Sequence, residues 1–109
     1  MSILGGLKNL FTSKGKASSL YKRGMDKAKK RDFDGAIEDY TLLIESDQAP
    51  PDIRAMAQFN RALARTSLGD FDGAKEDLDK LARSPEVPAS VKAAVREKID
   101  RMRFRKSTT

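Results

Sequence analysis

The chain has 109 residues, 22 basic against 16 acidic side chains, and a net charge of +6. One small domain with a thin core is expected, and its charge favours acidic partners. There is no cysteine and no histidine, which excludes disulfides, thiolate metal sites, and both the commonest general base and the commonest metal ligand.

Residues 1–16 open the chain. Ile3, Leu4, Leu7, Leu10 and Phe11 fall on one helical face, and Lys8, Lys14 and Lys16 are the only charges. Three readings stand for this basic amphipathic tail. It frays, it docks on the unit that follows and covers an open apolar end, or it lies on a membrane surface. Ser2 stands where N-myristoylation needs glycine, and the long apolar stretch of a secretory leader is missing. No run approaches the ~20 apolar residues of a membrane span. A cytoplasmic location is the expectation by elimination.

Residues 17–30 carry Ala17, Leu20, Tyr21, Gly24, Met25 and Ala28 at three- and four-residue spacing, which predicts a helix. The octet Asp32-Phe33-Asp34-Gly35-Ala36-Ile37-Glu38-Asp39 follows. Thirty-eight residues later the chain reads Asp70-Phe71-Asp72-Gly73-Ala74-Lys75-Glu76-Asp77. At that offset twelve pairs between 17–54 and 55–92 are identical, among them Arg23/Arg61, Leu43/Leu81 and Pro50/Pro88. The chain is therefore a duplicated unit followed by the start of a third.

Within the first unit Asp34 is the expected N-cap of a second helix. Ala36, Ile37, Tyr40, Leu43 and Ile44 form its apolar face, and it should end near Ser46, because Pro50-Pro51 cannot continue it. The small residues Gly24 and Ala36, like Ala62 and Ala74, mark where two helices of a hairpin come close. In the second unit Asp52 is the expected cap of a helix over 53–68. Gly69 closes that helix in the left-handed position, which Arg31 holds in the first unit. If the first turn keeps the same geometry, Arg31 is strained. A helix over 72–83 presents Ala74, Leu78, Leu81 and Ala82. The last helix, 89–105, has Val91, Ala94, Val95, Ile99 and Met102 on one side and charge on the rest, as a terminal cap requires. Residues 107–109 read as a disordered tail.

At Leu68-Gly69-Asp70-Phe71-Asp72-Gly73-Ala74 and Phe59-Asn60-Arg61-Ala62 the sequence resembles a tetratricopeptide repeat (TPR). It departs from that pattern in its period of 38, in Arg31 at the turn glycine, and in prolines displaced into the loops. The resemblance implies an all-α fold: a short α-solenoid of two antiparallel helix hairpins (17–51 and 52–87) with a capping helix (88–106). It implies a binding scaffold whose first helices line a concave groove. By that frame the groove-facing places are Ser18, Tyr21, Lys22, Met25 and Lys29, then Met56, Phe59, Asn60, Leu63 and Ser67, then Lys98, Arg101 and Arg105. Asn60 matches a groove asparagine that binds a peptide backbone or terminal carboxylate in some members. Tyr21 and Met25 stand where the accompanying lysine and asparagine would be, which argues against a carboxylate clamp.

The charge alternates by segment, from +5 over 17–31 to −6 over 32–47 and from −3 over 70–86 to +5 over 87–109. Two readings stand: a positive groove that attracts an acidic segment, or attraction between the two helices of each hairpin with the remainder a solvated face. Glu38 and Asp39 read as adjacent and exposed rather than as a tuned acid/base pair. The octet lacks the closing glutamate of a calcium loop, Leu43 standing in its place. No phosphate-binding glycine loop is present. No enzyme, cofactor or metal site is expected. The expected function is a non-enzymatic scaffold that binds a protein or peptide segment of acidic character. The alternatives are nucleic-acid binding through the basic first and last helices, and membrane-surface contact through residues 1–16.

Overall fold

Residues 14–108 are described in the computed structural model. They form five helices and no strand: α1 (Lys14–Lys29), α2 (Phe33–Ile44), α3 (Pro51–Ser67), α4 (Phe71–Arg83) and α5 (Ala89–Thr108). The all-α class expected from periodicity holds, and the packing of consecutive hairpins suits a short helical repeat. Residues 14–16 belong to α1 rather than to a tail, while the readings of residues 1–13 lie outside the described residues. At the other end α5 continues to Thr108, so of the expected tail Ser107 and Thr108 fall within the helix, and Thr109 lies outside the described residues. Nothing in Arg101–Thr108 breaks a helix, and the bases near that end complement the helix dipole.

The two hairpin turns have one geometry. At the end of α1 the Asp32 N–H donates to the Lys27 carbonyl (2.8 Å) and the Arg31 N–H to Ala28 (2.9 Å). At the end of α3 the Asp70 N–H donates to Arg65 (2.8 Å) and the Gly69 N–H to Thr66 (3.0 Å). Both are Schellman closures, which need a left-handed residue after the helix. Gly69 supplies φ +84°, and Arg31 supplies φ +67° with its guanidinium 5.5 Å from the centre of the Phe33 ring. The expected strain is therefore present.

The same aspartates then start the next helix. The N-cap of α2 is Asp32 and not Asp34, and that of α4 is Asp70; each carboxylate accepts from the N–H of the glycine three residues on (3.0 Å). One residue ends a helix and caps the next, which places Asp34 and Asp72 inside the first turn, where negative charge suits the dipole. Asp52 is likewise not a cap. Pro50 holds that position with Pro51 in the first helical place, and Asp52 Oδ1 accepts from Ile53 N–H (2.9 Å).

Two clusters form the core, one per unit. Ala17, Ala36, Tyr40, Leu43, Ala49 and Ala57 make the first; Ala55, Ala62, Ala74, Leu78, Leu81, Val87 and Val95 make the second. Ala49 and Val87 sit at equivalent places in the two inter-unit loops and pin each loop to its core. The close approach at Gly24 is real, but Ala36 is not its cause: a Cβ there would lie 2.6 Å from Tyr40 Cε1. In the second unit the corresponding pair is Ala62 and Leu78, both fully buried. A larger ring faces the smaller residue and a smaller side chain faces the larger one. Ala82, expected in the core, is exposed. It falls in the last turn of α4.

The outer faces explain where the array stops. α3 docks on the first unit through Ile53, Ala57 and its neighbours, while Ala55, Phe59 and Ala62 turn to the second unit. Shifted by one unit, the docking places on α1 are Gly15, Ser19, Lys22 and Asp26, three of them exposed. These places on α1 are polar where those on α3 are apolar. On α5 the docking side is apolar, with Val95 buried and Val91, Ile99 and Met102 packed on the second core. Its other side has Ala93, Glu97 and Asp100, all exposed. α5 is a cap.

Candidate interaction face

α3 is the central element, packed between α2 and α4 and flanked by α1 and α5. The three odd-numbered helices lie side by side, and the expected site residues fall on them. Tyr21 and Asn60 are brought together: the Asn60 side-chain amide donates to Tyr21 Oη (2.8 Å) and to the Met56 carbonyl (3.0 Å). Both amide hydrogens of Asn60 are thereby committed inside the fold, and only its Oδ1 remains to accept. Asn60 joins the two units rather than presenting a donor to a ligand, which removes the donor that a carboxylate clamp would need. The Tyr21 ring also packs at 6.2 Å, tilted, on Tyr40. Burial raises the Tyr21 pKa, with the Asn60 hydrogen bond opposing. Burial, then the neighbouring Tyr21 and Asp39, push the Tyr40 hydroxyl up to about 12.

Met25 and Phe59 are half-buried, each packed on its own unit's core, and Leu63 is half-buried outside both clusters. Phe59, Leu63 and Ser67 follow Met56 at helical spacing, so they make one stripe along α3. Lys22 and Arg101 are exposed and paired along their own helices, with Asp26 (3.3 Å) and Glu97 (2.6 Å). Such exposed pairs contribute little and are easily exchanged for another partner. Lys29 is exposed and Lys98 half-buried, and neither has an ion-pair partner among the described residues. Ser18 and Ser67 are exposed. The Arg105 side chain lies outside the described residues.

The strongest electrostatic constellations lie between the two helices of each hairpin. Asp39, expected to be exposed, is 2% exposed, and so is Asp77 at the equivalent place. Arg23 grips Asp39 with two hydrogen bonds (2.9 and 2.7 Å) and Lys27 adds a third contact (3.2 Å). Arg61 grips Asp77 likewise (3.0 and 2.6 Å), Arg65 adds 2.9 Å, and Arg61 also donates to Thr41 on α2 (3.0 Å). These forked contacts fix the register of each hairpin, and the Thr41 bond ties the units together. The Arg23 hydrogen bond holds the Asp39 pKa below its ordinary value against the opposing effect of burial, with Lys27 adding to the lowering. The same bond raises the Arg23 pKa.

Four of the bases that made the first helices look like a positive lining, Arg23, Lys27, Arg61 and Arg65, are thus turned to their own hairpin. Attraction within hairpins accounts for that part of the charge pattern, and Lys29 and Lys98 are among the bases it leaves without a carboxylate partner. At the opposite edge from the turns, a cleft of about 180 Å³ opens between Ile44, Arg54, Gln58, Leu81 and Val87. None of the expected site residues lines it. Among the described residues no three carboxylates converge as metal ligands, and no helix is long and apolar enough to cross a membrane. Comparison of the chain with family models, with curated proteins and with solved structures finds no match.

Proposed function

We propose that the protein is a non-enzymatic interaction scaffold of TPR-like design, working in the cytoplasm, that takes an acidic segment of a protein partner across the α1–α3–α5 face. What supports this is that, at places the repeat frame assigns to the groove, Met25, Phe59 and Leu63 are half-buried rather than fully buried, while Lys29 and Lys98 have no carboxylate partner among the described residues. Apolar side chains partly open to water provide the gain on burial, and unpaired bases select the charge of what covers them. Because the Asn60 amide is engaged with Tyr21 and Met56, the partner is held along its length and not by a terminal carboxylate.

The test is fluorescence anisotropy with a labelled helical peptide of alternating leucine and glutamate character and its glutamine counterpart. The acidic peptide should bind in a salt-sensitive way, and Lys29→Gln with Lys98→Gln should weaken it about tenfold. Equal binding of the two peptides, or tighter binding of a single-stranded oligonucleotide under the same conditions, would refute the assignment.

A further inference from the structure

The outer face of α2 carries an exposed stripe that the second unit does not repeat. Asp34, Glu38, Leu42 and Glu45 fall within one narrow arc of the helix. The three carboxylates are exposed and make no ion pair with any described residue. Leu42 stands among them 54% exposed, the most exposed large apolar side chain described. The matching places on α4 are Asp72, Glu76, Lys80 and Arg83, where charge is balanced and no apolar side chain is present. The stripe is therefore not a by-product of the duplicated unit. It is a leucine on a rigid helix with glutamates one turn before and one turn after it.

That is the chemistry the α1–α3–α5 face is suited to take. We propose that the partner of that face is a second copy of this chain, with α2 of one molecule laid across α1, α3 and α5 of the next. The proposal rests on the reading of that face as a site for acidic segments. Leu42 covers Met25, Phe59 and Leu63, while Glu38 and Glu45 meet Lys29 and Lys98. Each surface is complete within one molecule and lies on different helices, so the contact is heterologous and leaves the groove of one copy and the stripe of another free to continue. A free acidic segment then competes with the second copy for the same face, so assembly and partner capture exclude one another.

Sedimentation velocity on the full chain tests this. At low salt the mass should rise with concentration, and in roughly 0.5 M salt it should return to the monomer, because the exposed charges are screened. Leu42→Glu should weaken association about tenfold. The decisive pair consists of Glu38→Lys/Glu45→Lys and Lys29→Glu/Lys98→Glu. Each double variant should be monomeric alone, and their mixture should associate with the two variants alternating in equal proportion, because the stripe of each then matches the groove of the other. All four positions are away from the core, and circular dichroism should show unchanged helix. A monomer at every concentration in low salt overturns the proposal, as does a mixture that stays apart. Association that survives both double variants but disappears in Leu7→Glu/Leu10→Glu assigns the contact to the N-terminal segment and overturns it as well. The acidic-peptide anisotropy separates the two readings: peptide binding by a chain that never self-associates leaves the scaffold reading standing and sinks only this one.

Discussion

Gly24 and Tyr40 form a size-matched pair that can be exchanged for its counterpart in the second unit, Ala62 and Leu78. A methyl group on Gly24 would stand 2.6 Å from Tyr40 Cε1 and 3.0 Å from Cδ1, well inside the roughly 3.5 Å of carbon–carbon contact. Tyr40 is only 1% exposed, so the ring has no free direction in which to yield. Overpacking of this kind costs about 1–3 kcal/mol, against about 1 kcal/mol gained by replacing glycine inside a helix. Gly24→Ala should therefore lose about 1 kcal/mol net. Tyr40→Leu leaves a void and should lose about 2–3 kcal/mol. In the double variant the methyl enters the vacated space, and the helix gain is realised without the clash. It should be about 1 kcal/mol more stable than Tyr40→Leu alone, so the same Gly24→Ala change reverses sign between backgrounds. Urea melts followed by circular dichroism on the four proteins close the cycle, with an interaction energy of about 2 kcal/mol. If Gly24→Ala shifts stability equally in the wild-type and Tyr40→Leu backgrounds, the two residues are not in contact and the packing of the first hairpin is different.

Three further outcomes follow from the turns and the core. Arg31→Gly relieves a left-handed arginine worth about 1–2 kcal/mol, but it loses the stacking on Phe33 and loosens the unfolded chain. A net gain of about 0.5 kcal/mol is expected, larger when Phe33→Leu has already removed the stack, and a loss in both backgrounds would contradict the shared turn geometry. Asp39→Asn should cost about 1–2 kcal/mol at neutral pH, toward the low end because Arg23 keeps access to water. The folded Asp39 pKa lies below its ordinary 3.8, so its contribution is complete above that value and is lost as pH falls towards the folded pKa; the gap between wild type and variant should close over that acid range and not at higher pH. Ala74→Leu, at a site with no exposure, should lose about 1–3 kcal/mol, and an unchanged melting curve would place Ala74 outside the helix crossing.

Much of the architecture was legible because duplication states the same information twice. The spacing that predicts a helix in the first unit recurs thirty-eight residues later, and Pro50 recurs as Pro88 in the second inter-unit loop. The caps were harder to read. Asp32 and Asp34 are both good capping residues, and only the hydrogen bonds show that the first closes α1 and opens α2 at once. Asp39 was misread, although a signal was there. It sits with Ala36, Tyr40 and Leu43 at i, i+3, i+4 and i+7, as Asp77 does with Ala74, Leu78 and Leu81, so a charge recurs on a buried face. Read together with Arg23 and Arg61 at the same offset, the ion pairs could have been inferred. Asn60 shows the opposite case. Its place on α3 was right, but the hydroxyl that satisfies it comes from another helix thirty-nine residues away, and helical periodicity does not reveal such a contact.

The polar outer sides of α1 and α5 bear on how a protein like this can change its size. A further unit added before α1 would meet Gly15, Ser19 and Lys22, and one added after α5 would meet Glu97 and Asp100. Neither surface offers apolar area to hold it. A second copy of residues 40–77 inserted after Asp77 would instead bring in another α3, with Ile53 and Ala57 to dock on the unit before it and Ala55, Phe59 and Ala62 to receive the unit after it. Lengthening is therefore open only from within, by recombination between the two octets, and the terminal helices keep their identity as ends however many units come to lie between them.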